Sequence, residues 1–150
     1  ALDGKLLWHD TPGSSPAASN DATDAFESSL AVSHTMVYAG SGSYLYKLNS
    51  HNGAILWRRR VATPFKVLIA NGIVYAASGS SGMDAFNADS GKLLWHNALN
   101  PMRIGATARP ILIGGEVYIE TMDEVKNPPE VFLHAINARN GVENWHASVT

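Results

Sequence analysis

Tryptophan occurs at four positions, Trp8, Trp57, Trp95 and Trp145, and each has a glycine four residues before it, at Gly4, Gly53, Gly91 and Gly141. So bulky a residue held in one frame four times marks an internal repeat, and a repeat restricts the fold more than composition does. Three of the glycines follow an asparagine by four residues, at Asn49, Asn87 and Asn137. A Val-Tyr pair stands ahead of each asparagine, at Val37-Tyr38, Val74-Tyr75 and Val117-Tyr118, with the tyrosines 37 and 43 residues apart.

Each unit reads as four strands. The first is expected at Ser29–His34, Met36–Gly40, Tyr44–Asn49 and Ala54–Arg58, the second at Lys66–Ala70, Ile73–Ala77, Gly82–Asn87 and Lys92–Asn97. The third is expected at Ala108–Ile113, Glu116–Glu120, Val131–Asn137 and Val142–His146. Asn71-Gly72 and Gly114-Gly115 join the first two strands of the later units as two-residue hairpins, which need positive φ at both positions. His34-Thr35 is a weaker turn at the same place. In the Asn-x-x-x-Gly connection the asparagine can bond the turn backbone while the glycine takes positive φ. No segment sustains a helical period.

Units of about 40–45 residues with four strands each are the signature of a β-propeller. The expected fold is therefore all-β: blades of four antiparallel strands, about three complete blades and one extra outer strand. By residue this gives an outer strand at 1–9, a linker at 10–28, and blades at 29–60, 65–99 and 107–149. Ala85-Phe86-Asn87-Ala88-Asp89-Ser90-Gly91-Lys92-Leu93-Leu94-Trp95 and Ala135-Ile136-Asn137 through Trp145 resemble the pyrroloquinoline-quinone-like repeat of quinoprotein dehydrogenases and of many non-catalytic propellers. The resemblance covers nearly the whole chain apart from 10–28 and 121–130. Asparagine replaces the usual aspartate in three repeats; the first, Ala1-Leu2-Asp3-Gly4, keeps aspartate but lacks the spacer. The resemblance implies that Trp8, Trp57, Trp95 and Trp145 close the outer strands and pack against neighbouring blades. Burial of about 150–250 Å² per tryptophan favours that structural role over ligand stacking.

The candidate chemistry is sparse. His9, His96 and His146 each follow a repeat tryptophan, so they occupy equivalent outer positions on different blades. An outer strand stands roughly 14 Å beyond the inner one, so those positions diverge, and repeat inheritance explains them better than a shared ion. His34, His51 and His134 lack metal-ligand spacing. Lys66 and Arg109, near the starts of two inner strands, are the candidates for a polar channel or surface binding site, read against ordinary solvated strand-end charges. The insertion Thr121–Glu130, stiffened by Pro128-Pro129, is read as a surface excursion ahead of a recognition loop. Arg58-Arg59-Arg60 would send alternate side chains to opposite faces and makes a poor phosphate patch.

The chain has no cysteine, which removes thiolate zinc sites, cysteine nucleophiles and the vicinal cysteine pair that the resemblance associates with quinone binding. No catalytic constellation is visible, and no cofactor or metal is expected. A net charge of −2 gives no reason to expect nucleic acid. No stretch reaches the roughly 18–20 apolar residues of a membrane span, and no signal peptide stands at the N-terminus.

Propellers close with about 4–8 blades, so three blades and a strand leave two apolar faces open. They imply either the remainder of a longer propeller or a homo-oligomer. The expected function is a non-catalytic scaffold that binds protein or peptide, extracytoplasmic by family resemblance. The alternatives are a fragment of a quinone-dependent dehydrogenase and an extracellular carbohydrate- or small-molecule-binding sensor using Tyr44, Tyr46 and Phe65.

Overall fold

A computed structural model describes Leu6 and residues 30–41, 43–62, 64–78, 82–99, 109–123 and 125–149. Gly4, Trp8, His9, the 10–28 segment and the side chain of Phe65 lie outside them. Among the described residues, twelve strands form three separate four-stranded antiparallel sheets. Blade one comprises β1 (Ala31–Ser33), β2 (Met36–Ser41), β3 (Tyr44–Asn49) and β4 (Ile55–Arg60). Blade two comprises β5 (Pro64–Ala70), β6 (Ile73–Ser78), β7 (Gly82–Asn87) and β8 (Leu93–Asn97). Blade three comprises β9 (Ile111–Ile113), β10 (Glu116–Asp123), β11 (Glu130–Asn137) and β12 (Glu143–Ser148). Each sheet is a meander in sequence order, as expected of propeller blades. Among the described residues no helix is long and apolar enough to cross a membrane.

The turns obey the chemistry read from sequence. Asn71 and Gly72 have φ of 51° and 72°, and Gly114 and Gly115 have 59° and 88°. In blade one His34 takes φ 54° in the same place, so a histidine accepts the left-handed conformation that asparagine or glycine takes elsewhere. The Asn-x-x-x-Gly turns share one bonding scheme. The glycine N–H donates to the asparagine carbonyl at 2.8–2.9 Å in all three. The asparagine Oδ1 accepts from the backbone two residues on: His51 at 2.8 Å, Asp89 at 3.1 Å and Arg139 at 3.0 Å. Asn87 also accepts from the Ser90 N–H and hydroxyl.

Since the side-chain oxygen carries these contacts, Asn87→Asp is expected to be nearly neutral. Asn87→Ala should cost about 1–2 kcal/mol, by analogy with loss of a helix-capping side chain. Urea unfolding of the two variants checks the contrast.

Each blade also carries a register shift between its third and fourth strands, at Lys47/Leu48, Ala85/Phe86 and Ala135/Ile136. Such bulges twist a strand locally.

The core is divided between two seams. Tyr38, Leu45 and Trp57 pack with Val67, Val74, Ala76 and Phe86 between blades one and two. Tyr75, Met83, Trp95 and Leu99 pack with Val117, Ile119 and Ile136 between blades two and three. Strand alternation makes this division: in β6, Val74 and Ala76 face blade one while Tyr75 and Ala77 face blade three. Both members of the Val74-Tyr75 pair therefore serve interfaces, on opposite sides of their blade.

The 121–130 insertion differs from the sequence expectation of a plain surface excursion. Thr121, Met122 and Asp123 pair with Phe132, Val131 and Glu130, so the ladder runs on and only the tip is a loop. Strand-forming Thr, Val and Phe at facing positions extend it. At the tip Lys126 bonds Glu130, and its ammonium lies 5.6 Å from the centroid of the Phe132 ring.

Candidate functional site

Three of the repeat tryptophans, Trp57, Trp95 and Trp145, lie among the described residues, and the first two meet another blade. The Trp57 indole N–H donates to the Ala88 carbonyl at 3.2 Å, and the Tyr38 hydroxyl reaches the same oxygen at 3.4 Å. One blade on, the Trp95 indole donates to the Ala138 carbonyl at 3.0 Å, and Tyr75 reaches that oxygen at 3.3 Å. In both cases the acceptor is the residue after the turn asparagine of the next blade.

The turn glycine lies under the indole. A Cβ on Gly91 would stand 2.9 Å from Trp57 Cδ2, and one on Gly141 would stand 2.6 Å from Trp95 Cδ2. Any side chain here would push the indole out of its seat. Side chains from the outer strand hold the same turn. Arg59 donates to the carbonyls of Gly91 and Ser90 at 2.6 and 2.8 Å, and Asn97 donates to that of Gly141 at 2.8 Å. Lys47, which is buried, pairs with Asp89 at 3.4 Å.

The third seam half is built in the same way and left open. Tyr118 and Trp145 stand with ring centroids 6.0 Å apart, against 6.0 Å for Tyr38–Trp57 and 5.9 Å for Tyr75–Trp95. Yet Trp145 is 43% exposed, while Trp57 and Trp95 are 8% and 7% exposed. Ile111 and Ile113 are also exposed on blade three. The Tyr118 hydroxyl donates to Glu116 at 2.6 Å, and Asn144 donates to the other oxygen of that carboxylate at 2.6 Å. These two bonds hold the Glu116 carboxyl below its ordinary value. The bond to Glu116 raises Tyr118 above the ordinary phenol value. Tyr38 and Tyr75 are raised chiefly by burial in their seams.

The sequence candidates for a channel site are not brought together. Lys66 lies half-buried in β5, opposite Ala77, and Arg109 is exposed just before β9 rather than within an inner strand. Proline at 110 cannot donate to the ladder, which accounts for the later start of that strand. A groove of about 790 Å³ beside the second seam is lined instead by residues including Asn71, Tyr75, Glu116, Ala138 and Asn144. The aromatic residues considered for sugar stacking fare similarly. Tyr44 and Tyr46 are half-buried, and the Arg58 guanidinium lies 5.1 Å from the Tyr44 ring centroid. The arginine run divides by alternation, Arg59 serving the seam and Arg58 lying over Tyr44.

Sequence spacing gives His134 no ligand partners. The structure sets it beside His146 and Glu143, with the His134 Nδ1 2.6 Å from Glu143 Oε1. The group arises from cross-strand pairing, so linear ligand spacing gives no sign of it.

Solved structures with the same fold include quinohemoprotein alcohol dehydrogenase ADHIIG from Pseudomonas putida HK5 (TM-score 0.71, 18% identity, covering 83% of this chain and 21% of that one). BamB from Moraxella catarrhalis aligns with a TM-score of 0.66 and 20% identity, over 84% of this chain and 38% of that one. Among curated proteins, the outer membrane protein assembly factor BamB of Francisella tularensis is 24% identical over 130 residues, 86% of this chain and 26% of that protein. The serine/threonine-protein kinase AfsK of Streptomyces coelicolor is 28% identical over 119 residues, 78% of this chain and 14% of that protein. The chain thus spans about a quarter or less of these two curated relatives. The family described as outer membrane protein assembly factor BamB matches residues 1–150, the whole of the sequence, and the chain belongs to this family of pyrroloquinoline-quinone-like β-propeller repeats.

Proposed function

We propose that this chain is a non-catalytic β-propeller module that binds protein through its open blade faces, and that it works outside the cytoplasm. The observation that carries the reading is the unfilled seam half on blade three. Trp145 and Tyr118 hold the geometry of the two filled seams, and nothing among the described residues covers Trp145. A surface with the packing chemistry of a blade interface accepts another blade, from the same propeller or from a second copy of the chain. At the other end the Asn49–Gly53 turn has the backbone bonding of the two occupied turns. Its Ser50 N–H donates to Thr35 O at 2.9 Å, as Ala88 does to Gly72 O and Ala138 to Gly115 O. That turn is the matching seat for a tryptophan. The membership of outer membrane assembly factors in this family supports a protein-binding role and an extracytoplasmic setting.

Light scattering across a concentration series tests the proposal. The chain is expected to associate with rising concentration, and Trp145→Glu is expected to abolish the association. A well-folded wild-type monomer at every concentration, indistinguishable from the variant, counts against it. The likeness to quinohemoprotein dehydrogenases keeps a second reading, a fragment of a quinone enzyme. Titration with pyrroloquinoline quinone and calcium, followed by tryptophan fluorescence, is expected to give no saturable change; a saturable quench favours that second reading.

A further inference from the structure

The outer edge of blade three carries a group of side chains that the repeat does not account for. His134 on β11 and His146 on β12 are cross-strand partners. Glu143 Oε1 lies 2.6 Å from His134 Nδ1 and 3.0 Å from His146 Nδ1, and the three ligand atoms fall within 4.8 Å of one another. The opposite ring nitrogen of His134, Nε2, is 2.7 Å from Thr121 Oγ1. His134 is fully buried, whereas the side chains of Glu143 and His146 are 27% and 51% exposed. The group is therefore anchored on one side and open to solvent on the other. His134 shares a strand face with Ile136, which packs in the seam toward blade two, so the cluster sits at the rim of that seam.

Comparison of the blades isolates what is special here. The His134–His146 pair corresponds to Tyr46–Arg58 in blade one and Asp84–His96 in blade two. Glu143 corresponds to Ile55 and Leu93, both exposed aliphatic residues. His146 belongs to the series of histidines that follows three of the four tryptophans, but His134 and Glu143 do not. Two independent departures from the repeat converge on one point in space. Among the described residues no other group of three such side chains lies this close.

We propose that His134, Glu143 and His146 bind a divalent transition-metal ion, with zinc the ion the donor set fits best. Two imidazole nitrogens and one carboxylate oxygen form a three-ligand set of the kind zinc accepts, leaving a fourth position for water. Calcium and magnesium take shells of oxygen and are poorly matched by this set. When the ion is bound, His134 carries its proton on Nε2 and donates it to Thr121 Oγ1, the outer hydrogen bond that fixes a ligating imidazole. Nδ1 of each histidine then presents its lone pair beside Glu143 Oε1. Tetrahedral bonds of about 2.0–2.1 Å place donor atoms roughly 3.3 Å apart, so the present contacts of 2.6 and 3.0 Å open by about 0.7 and 0.3 Å. Rotation of the exposed Glu143 and His146 side chains supplies that movement. The ion would pin the outer strand β12 to β11.

The test is calorimetric titration of the chelator-treated, untagged chain with zinc chloride alone. One saturable equivalent per chain is expected, together with a raised melting temperature. Glu143→Gln and His146→Ala, both at the surface and checked for folding by circular dichroism, should each weaken binding at least about tenfold, the lower end of the loss that even an outer-sphere partner produces. His96→Ala, in the equivalent position of blade two, should leave binding unchanged. Cobalt(II) should give the visible absorption of a tetrahedral site in the wild type and lose it in both ligand variants. The proposal is overturned by an absence of stoichiometric binding, by binding that survives both substitutions, or by binding that is lost in His96→Ala.

Discussion

Replacing Trp95 with alanine is expected to destabilise the fold by about 3–5 kcal/mol, whereas the same change at Trp145 should cost under about 1 kcal/mol in the isolated chain. The two residues hold the same repeat position and the same geometry against their tyrosines, 5.9 and 6.0 Å between centroids. They differ in what lies on the other side. Trp95 is almost completely buried between blades, on the Gly141 turn and bonded to the Ala138 carbonyl. Its removal leaves a cavity in the seam and takes from the Ala138 carbonyl one of its two donors, leaving the Tyr75 hydroxyl. Trp145 is largely free of such contacts, so its truncation forfeits little until another blade covers it. Urea unfolding of both variants measures the difference. Equal losses would mean that the indole stabilises its own blade rather than the seam.

The second large effect is expected at Gly141. A Cβ there meets three Trp95 ring atoms at 2.6–2.8 Å, and the residue has φ of +74°. Gly141→Ala should cost about 2–4 kcal/mol, combining backbone strain with overpacking of a well-filled seam. Gly72→Ala has the same backbone problem, with φ of +72°, but meets nothing within 4 Å. It should cost about 1–2 kcal/mol. The Gly141 penalty should shrink when Trp95 is already alanine, because the clashing ring is gone. A double-mutant cycle on denaturation midpoints reads that coupling, and strict additivity would show that the clash is relieved elsewhere.

The residues differ in how plainly they announced their roles. The Asn-x-x-x-Gly turns were legible because their chemistry is local: the asparagine oxygen and the left-handed glycine act within five residues. The tryptophans were legible as packing residues because nothing but an interface absorbs so much apolar area four times over. Their hydrogen-bond acceptor was not legible, since Ala88 and Ala138 offer a carbonyl, which every residue has; the small residue after each asparagine is the faint signal. His134 escaped because its partners come from across a strand pair and beyond a bulge, and sequence spacing carries no register. The proline before β9, in contrast, was in view and marks where a ladder could not begin, leaving Arg109 outside the strand.

The seams have a direction. Blades one and two give their tryptophans forward, and blades two and three receive them on their turns, so the two faces of a blade are complementary to each other and neither is complementary to itself. Two copies cannot meet through two like faces. They can join only head to tail, and every further copy repeats the same rotation. Such an assembly is either a ring, when the rotation per copy divides a full circle, or an open helical filament when it does not. The angle between successive blades thus decides whether the exposed edge of this chain ends in a finite object or keeps propagating.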